Sequence, residues 1–220
     1  MNKKIFALII VVLVIIIVGV SVYMLSGNHN DVETNNNQSS NSVSNNESDE
    51  PQNNNSNDIT TDGTNILVLY FSMSGNTEAV ANFIHDEVGG DIVKIETKKI
   101  YPDDYNDLLD IAQEEQSENA RPELSTTIDN LDEYDTIFLG YPIWWGDMPM
   151  AVYSFLDNYD LSGKTIVPFV TSGGSGLSGT PSNIKNEEPN ANVVEGLSIY
   201  DSDARSSRNE VVDWLNGLGY

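Results

Sequence analysis

A run of small polar residues, SMSGNT (72–77), follows directly on the apolar segment 65–71 and precedes a segment with helical periodicity. The N–H groups at a helix N-terminus and the positive end of the helix dipole attract an anion without a cationic side chain. The hydroxyl groups of this run add donors, and Gly75 lets the backbone curl closely around a ligand. Because the lysine of a P-loop is missing, the pattern predicts a site for one phosphate group. The alternative is an ordinary strand-to-helix turn that is capped by serine.

Two later loops carry aromatic and glycine residues that could border a flat ring. The first, GYPIWWGDMP (140–149), has two adjacent tryptophans, which cannot both point into a core from a loop framed by proline and glycine. We expect one tryptophan to pack the loop against the sheet and the other to offer an exposed platform for a planar ring. The second loop, TSGGSG (171–176), has glycines that permit close approach of the backbone and offer N–H groups to the carbonyl edge of a ring.

Alternating strands and helices must position these loops. The predicted strands cover 65–71, 91–96, 134–142, 164–172 and 192–200, and the predicted helices cover 77–88, 105–116, 149–159 and 207–218. Continuous apolar strands that alternate with helices indicate a parallel sheet covered on both faces. The right-handed crossover rule makes such a sheet doubly wound. We therefore predict a five-stranded, doubly wound parallel α/β sandwich, in which ligands bind beyond the carboxyl ends of the strands.

The three loops, at these spacings in a βα alternation, resemble the flavin-binding loops of the flavodoxins. The middle loop is similar to that of a flavodoxin-like branch with the pattern P-x-W-W, and the resemblance extends over 65–220. It implies FMN as the cofactor, with the phosphate in the first loop and the isoalloxazine ring between the other two. It implies neither a catalytic side chain nor a metal ligand. The residues implied at the phosphate are Ser72, Ser74, Gly75, Asn76 and Thr77, and those implied at the ring are Pro142, Ile143, Trp144, Trp145 and Gly146 on one side and Thr171, Ser172, Gly173 and Gly174 on the other.

The loop after the fourth strand departs from the family pattern. Small electron-carrying flavodoxins stack a tyrosine from this loop on the ring, whereas 171–176 contains no aromatic residue, so we expect a more open ring face. The pattern G-x-G-x-x-G also occurs here, at 174–179, with Asp201 further along. The polar segment that follows is interrupted by Pro181 and Pro189, so a well-formed apolar helix is not predicted and a dinucleotide site is disfavoured.

The N-terminal part of the chain has the composition of a membrane anchor. The stretch from Ile5 to Leu25 carries no charge and is mostly Ile, Val and Leu. At about 1.5 Å per helical residue it spans roughly 30 Å, the thickness of the hydrocarbon core of a bilayer. A cleaved signal peptide is the alternative, but its apolar region is shorter and ends at a small-residue site. Since Lys3 and Lys4 precede the span, the positive-inside rule predicts a single-pass protein of the cell membrane with an extracytoplasmic C-terminal domain.

The segment 26–64 consists mostly of Asn, Ser, Asp, Glu, Thr and Gln. With almost no apolar side chain to bury, it cannot offset the entropy that ordering costs, so we predict a disordered tether. The expected organisation is a transmembrane anchor at 1–25, this tether at 26–64 and a flavodoxin-like domain at 65–220.

Charge and composition exclude several classes of function. The 220 residues include 10 basic and 34 acidic side chains, and the net charge of −24 argues against nucleic-acid binding, which needs cations to displace counterions. The chain has no cysteine, so disulfides, thiolate catalysis and iron–sulfur ligation are excluded. Two histidines leave little for a zinc site or a catalytic triad.

Three functions are compatible with these patterns. The first is electron transfer by a membrane-tethered FMN protein, with a redox partner protein or a membrane quinone. The protein would then supply orientation and electrostatics to the cofactor rather than acid–base residues. The second is an FMN-dependent NAD(P)H or quinone oxidoreductase, which the open ring face favours. The third is an interaction module that keeps the fold without a flavin.

Overall fold

A parallel sheet lies at the centre of residues 65–220, which are the residues that this computed structural model describes. Its order is β2-β1-β3-β4, and β4 then pairs with both β5 and β6; every pairing is parallel. The order reverses between β1 and β3, which is the doubly wound arrangement that the sequence predicts. The strands are β1 (Ile66–Tyr70), β2 (Asp91–Lys94), β3 (Thr136–Pro142), β4 (Thr165–Ser172), β5 (Asn192–Val193) and β6 (Leu197–Tyr200).

Helices cover both faces of the sheet. The helices of 65–220 are α1 (Asn76–Val88), α2 (Tyr105–Ser117), α3 (Met150–Asn158), α4 (Thr180–Glu187) and α5 (Arg208–Leu218), with short 3₁₀ turns at Leu131–Glu133 and Ala204–Ser206. Helices α1 and α5 pack on one face, and α2, α3 and α4 pack on the other. This alternation is the α/β sandwich that the apolar strands and amphipathic helices indicate.

The sheet separates two hydrophobic cores. In β1, Leu67 and Leu69 belong to the core under α3, whereas Ile66 and Val68 belong to the core under α1 and α5. Successive side chains of a strand point to opposite faces, so β1 is buried on both sides. This double burial explains the uninterrupted apolar sequence of the strand.

Two short strands, β5 and β6, take the place of the single strand predicted over 192–200. Val193 pairs with Ile166, and Leu197 pairs with Phe169. Three residues therefore separate the two pairs on this strand, whereas two residues separate them on β4. Such an extra residue is a β-bulge, which interrupts the ladder of hydrogen bonds. Pro168 stands opposite the bulge and has no N–H to donate, and a Cβ on Gly196 would lie 2.6 Å from the Pro168 carbonyl oxygen.

Helix α4 is not predicted from the sequence. Pro181 lies in its first turn, where an N–H group has no helical partner to lose, so the proline starts the helix instead of breaking it. Pro189 follows the helix and does not interrupt it. Thr180 and Ile184 are buried one turn apart, and this narrow contact is enough to pack a short polar helix on the sheet.

The predicted anchor (1–25) and tether (26–64) lie outside the described residues. Within 65–220, no helix is both long enough and apolar enough to cross a membrane.

Candidate functional site

A cavity of about 660 Å³ opens at the carboxyl ends of β1 and β3, where the strand order reverses. Its walls come from the first loop (72–77), the tryptophan loop (140–149) and the segment 102–112, with Asp201 at the end of β6. Doubly wound sheets bind their ligands at this position, so the cavity is the candidate site.

In the first loop, hydroxyl side chains surround the N-terminus of α1. Gly75 adopts a left-handed φ of 81°, and its N–H donates to Ser72 Oγ at 3.2 Å. The N–H of Asn76 donates to Ser74 Oγ at 3.4 Å. Ser74, Asn76 and Thr77 line the cavity, whereas Ser72 is buried and Gly75 shapes the turn. The loop therefore brings three of its five predicted phosphate residues to the cavity wall.

The glycine loop (171–176) is joined to the first loop beneath the cavity. The hydroxyl oxygens Thr77 Oγ1 and Thr171 Oγ1 lie 2.9 Å apart and are buried. Ser172 is buried as well, and its Oγ accepts a hydrogen bond from the N–H of Gly174 at 3.3 Å. Thr171, Ser172, Gly173 and Gly174 are absent from the walls of the cavity. The structure thus places these four predicted ring residues beside the cavity rather than in it.

An aromatic ring lies against the glycine loop, although the loop itself has none. Gly174 has a φ of 120°, and a Cβ built there would lie 3.1 Å from Cε1 of Tyr200. Tyr200 ends β6 and is 59% exposed. The pairing of β6 with β4 brings this ring to the loop, so the loop sequence itself does not indicate it.

The tryptophan loop closes in a tight turn at residues 144–147. Trp144 and Asp147 exchange two backbone hydrogen bonds, with N···O distances of 2.9 and 3.0 Å. Between them, Trp145 and Gly146 have φ angles of 50° and 81°. Two consecutive positive φ angles are typical of a type I′ turn, which is unusual for a tryptophan. Gly146 belongs to this turn and does not line the cavity, whereas Pro142 and Ile143 do.

The two tryptophans have different environments, as expected from their adjacency. Trp144 is half-buried, and its ring makes edge-on contacts with Phe71 and Tyr101 at centroid distances of 5.3 and 5.7 Å. Trp145 is 49% exposed, and its Nε1–H donates to the carbonyl oxygen of Leu109 at 3.1 Å. Trp144 therefore packs the loop onto the domain, and Trp145 presents an aromatic surface at the rim.

Asp147 fixes the far side of this turn. Its carboxylate accepts hydrogen bonds from the N–H of Met148 at 2.8 Å, from the hydroxyl of Tyr153 at 3.0 Å and from the amide of Asn183 at 2.9 Å. Burial, and then the adjacent Asp147 charge, raise the pKa of the Tyr153 hydroxyl above its ordinary value. Tyr153 therefore stays protonated and donates to Asp147. Tyr153 belongs to α3 and Asn183 to α4, so the sequence around Asp147 could not reveal the contact with Asn183.

The third wall of the cavity comes from α2 and the residues before it. Leu108, Leu109 and Ala112 recur at helical spacing on the face that lines the cavity, and Tyr105 stands at the rim with 69% of its surface exposed. Asp104 caps this helix by accepting hydrogen bonds from two first-turn N–H groups. The helical spacing of 105–116 predicts this helix, but nothing in that segment assigns its apolar face to the site.

A tyrosine–carboxyl pair supports the packing of Trp144. The hydroxyl of Tyr101 donates to Glu115 Oε2 at 2.8 Å. Burial raises the pKa of the Glu115 carboxyl above its ordinary value, although the hydrogen bond from Tyr101 offsets part of this effect. The pair joins α2 to the aromatic cluster of Phe71, Tyr101 and Trp144.

A cation also lies at the first loop, which contains none of its own. Nη2 of Arg205 donates to the carbonyl oxygen of Ser74 at 3.1 Å. Arg205 belongs to the 3₁₀ turn Ala204–Ser206 that follows β6. The sequence around the loop offers only dipoles and hydroxyls, because the arginine is far away along the chain and is brought here by the fold.

Three comparisons with known proteins agree with this geometry. The family model described as flavodoxin matches residues 65–218. A candidate flavoprotein from Bacteroides eggerthii is 32% identical, with a TM-score of 0.64 over 72% of this chain and 99% of that chain. A flavoprotein from Lactobacillus acidophilus, solved in complex with FMN, is 25% identical, with a TM-score of 0.54 over 68% of this chain and 99% of that one.

Curated relatives show the same family over a shorter stretch. A flavodoxin from Synechocystis sp. is 28% identical over 110 residues, which are 48% of this chain and 51% of that protein. A flavodoxin from Nostoc sp. is 29% identical over 108 residues, 47% of this chain and 49% of that protein. The matches to these curated relatives span about half of their length. Together with the match of the family model over 65–218, they show that the chain belongs to the flavodoxin family.

Proposed function

We propose that this protein binds FMN and transfers electrons. The observation that carries the proposal is the composition of one cavity, which joins a hydroxyl-lined helix N-terminus to an aromatic rim. Membership of the flavodoxin family supports it, as does the likeness to the L. acidophilus flavoprotein that was solved with FMN.

The cavity has the size and chemistry that a flavin nucleotide requires. Its volume of about 660 Å³ lies within the range of about 300–1,000 Å³ that small-molecule sites occupy. One end offers hydroxyls and helix N–H groups, which suit a phosphate, and the other offers flat and apolar side chains, which suit a fused ring. The polar end thus suits the phosphate of FMN, and the apolar end suits its isoalloxazine ring.

In this proposal each part of the site has a separate task. Ser74, Asn76 and Thr77 bind the phosphate, and Ser72 and Gly75 hold the loop in shape. Trp145 covers one side of the ring, and Trp144 anchors the loop that carries it. FMN supplies the redox chemistry, while the chain binds, orients and shields it. Asp103 and Asp201 place negative charge at the cavity wall, which disfavours adding an electron there.

A second candidate function is catalysis by an FMN-dependent NAD(P)H or quinone oxidoreductase. The observation in its favour is the apolar wall of α2, where Leu108, Leu109 and Tyr105 border the cavity and could receive a flat substrate. A flavin-free interaction module on the same fold is the third possibility.

One set of measurements separates the three functions. The full-length protein is purified, mixed with FMN and examined for flavin absorbance, and steady-state oxidation of NADH and NADPH is then measured with and without a soluble quinone. Electron transfer predicts bound flavin with little turnover. Rapid turnover with quinone supports the enzyme instead, and a protein that stays colourless after addition of FMN supports the module.

The site of action that we propose is the outer face of the cell membrane. The support comes from the sequence, in which the uncharged stretch from Ile5 to Leu25 follows Lys3 and Lys4. A tethered domain meets membrane partners at a raised effective concentration, so we propose a membrane quinone or a redox protein with a basic face as the partner. Protease treatment of intact cells tests this location, since a domain outside the membrane is cleaved and one inside is protected.

A further inference from the structure

The side chain of Arg205 reaches over the first loop at its glycine. Its Nη2 lies 3.1 Å from the carbonyl oxygen of Ser74, and a Cβ built on Gly75 would lie 3.2 Å from the same nitrogen. The guanidinium therefore occupies the space that a side chain at position 75 would need. This contact joins residues on two separate β–α connections, the one after β1 and the one after β6.

A rigid turn presents this arginine. Ala204 is fully buried, so the backbone on one side of Arg205 is fixed against the core. The N–H of Asp203 donates to the carbonyl oxygen of Tyr200 at 2.9 Å, and the hydroxyl of Ser207 donates to the carbonyl oxygen of Ala204 at 3.0 Å. The guanidinium is thus held near the loop by its backbone, and the residue is exposed beside the first loop, next to the residues that line the cavity.

Arg205 forms no ion pair with a carboxylate among residues 65–220. Within this range, Lys98, Arg121 and Arg208 form such pairs, whereas Arg205 and the other four lysines form none. A guanidinium has five N–H donors, and the contact with Ser74 uses one of them. The remaining donors have the planar geometry that phosphate oxygens match.

From these contacts we infer that Arg205 binds the flavin phosphate and makes the site select FMN over riboflavin by charge. The inference rests on the proposed function, because it assumes that the first loop holds the phosphate. It adds a cationic contact to a loop that otherwise offers hydroxyls and N–H groups. The alternative role for Arg205 is purely structural, in which its hydrogen bond to Ser74 only braces the loop.

The test compares three variants of the full-length protein with the wild type. Arg205→Met removes the charge and keeps the length of the side chain, and Arg205→Lys keeps the charge but loses the planar fork. Arg208→Met is the matched control, because it removes the same charge three residues away, where Arg208 pairs with Asp86 instead of contacting the loop. Titrations of FMN and of riboflavin are followed by flavin fluorescence at low and high salt, and thermal melts monitor folding.

We expect Arg205→Met to weaken FMN binding by about 10- to 100-fold, the usual range for losing a hydrogen bond to a charged group. Riboflavin binding should be unchanged, since riboflavin has no phosphate. Arg205→Lys should retain part of the preference for FMN, and Arg208→Met should retain all of it. Added salt should reduce the ratio of FMN affinities between the wild type and Arg205→Met, because salt screens the charge contact that only the wild type makes.

Two results would overturn the inference and leave the proposed function standing. One is a wild type that prefers FMN while Arg205→Met keeps the same preference. The other is a selective loss of FMN affinity in Arg205→Met that is as large at high salt as at low salt, which would show that the arginine only braces the phosphate loop. A wild type that binds no FMN would refute the proposed function, and the inference with it.

Discussion

The backbone of Trp145 is held in a conformation that residues with a Cβ atom seldom adopt. A left-handed φ costs such a residue about 1–2 kcal/mol, and the hydrogen bonds between Trp144 and Asp147 impose it here. Strain of this kind persists where the surrounding structure over-determines it, and it is concentrated at functional sites. The turn keeps the Trp145 ring at the rim of the cavity.

The two tryptophans should therefore respond differently to mutation. Trp145→Ala should weaken FMN binding and relieve the quenching of flavin fluorescence, with little change in folding stability. Trp144→Ala should lower the free energy of unfolding by about 2–3 kcal/mol, because it removes a half-buried ring from the contact with Phe71 and Tyr101. Urea denaturation and fluorescence titration of both variants check this pair. The ring-platform hypothesis fails if neither variant changes flavin affinity or fluorescence.

For single residues, the sequence predicts contacts between neighbours along the chain, but it does not predict contacts between residues that are far apart along the chain. The separate roles of Trp144 and Trp145 follow from their adjacency in a short loop, which the sequence displays. Arg205, Asn183 and Tyr200 reach the loops from other connections of the sheet. Their proximity depends on the order of the strands in the sheet, so no local pattern indicates it.

Helix α2 is an element with two functions, because one face lines the cavity and its Glu115 holds Tyr101 in place. Burial raises the pKa of Glu115, so the folded chain binds this proton more tightly than the unfolded chain does. The stability linked to this group is therefore complete below the ordinary glutamate pKa and is lost as the pH rises through the raised value.

Removing this buried charge should stabilise the domain at neutral pH. Glu115→Gln keeps an oxygen that can accept from Tyr101, and it should raise the free energy of unfolding at pH 7 by up to about 1 kcal/mol. The gain should shrink toward pH 4.5, near the ordinary glutamate pKa of about 4.3, where Glu115 itself is protonated. Urea denaturation at several pH values measures it. Glu114→Gln is the control, since it removes the same charge from the exposed neighbouring residue, and equal gains in both variants would contradict the prediction.

The elements themselves follow from the sequence except where one residue changes their geometry. Apolar runs and helical spacing predict the first four strands and the helices α1, α2, α3 and α5. The bulge that divides the fifth strand lies opposite Pro168 of the partner strand, and α4 has only two buried side chains. Hydrophobic periodicity cannot report a bulge set by a neighbouring strand, and it is weak in a helix as short and polar as α4.

The net charge of −24 acts on the molecule as a whole. A negative field disfavours adding an electron to a bound flavin, so reduction of the protein-bound cofactor should require a lower potential than reduction of free FMN. Salt should move this potential toward that of free FMN, because the Debye length is about 8 Å at physiological ionic strength. Spectroelectrochemical titration of the loaded protein at low and high salt is the measurement. A potential equal to or above that of free FMN, and insensitive to salt, would contradict this prediction.

The same charge also limits which partners the whole molecule can meet. Anionic macromolecules are repelled, whereas a partner with a basic face is attracted over several ångströms beyond the surface. This argues for electron exchange with a protein or a neutral membrane quinone rather than with nucleic acid or anionic lipid headgroups.

Equilibrium titration of the full-length protein with FMN, and in parallel with riboflavin, tests the central claim most directly. The loss of flavin fluorescence reports binding of either compound, and the two differ only in the phosphate that the first loop is proposed to hold. We predict saturable binding of one FMN per chain, with riboflavin bound at least about tenfold more weakly, the equivalent of one charge-assisted hydrogen bond. No binding of FMN, or equal affinity for the two compounds, would contradict the assignment of this cavity as an FMN site.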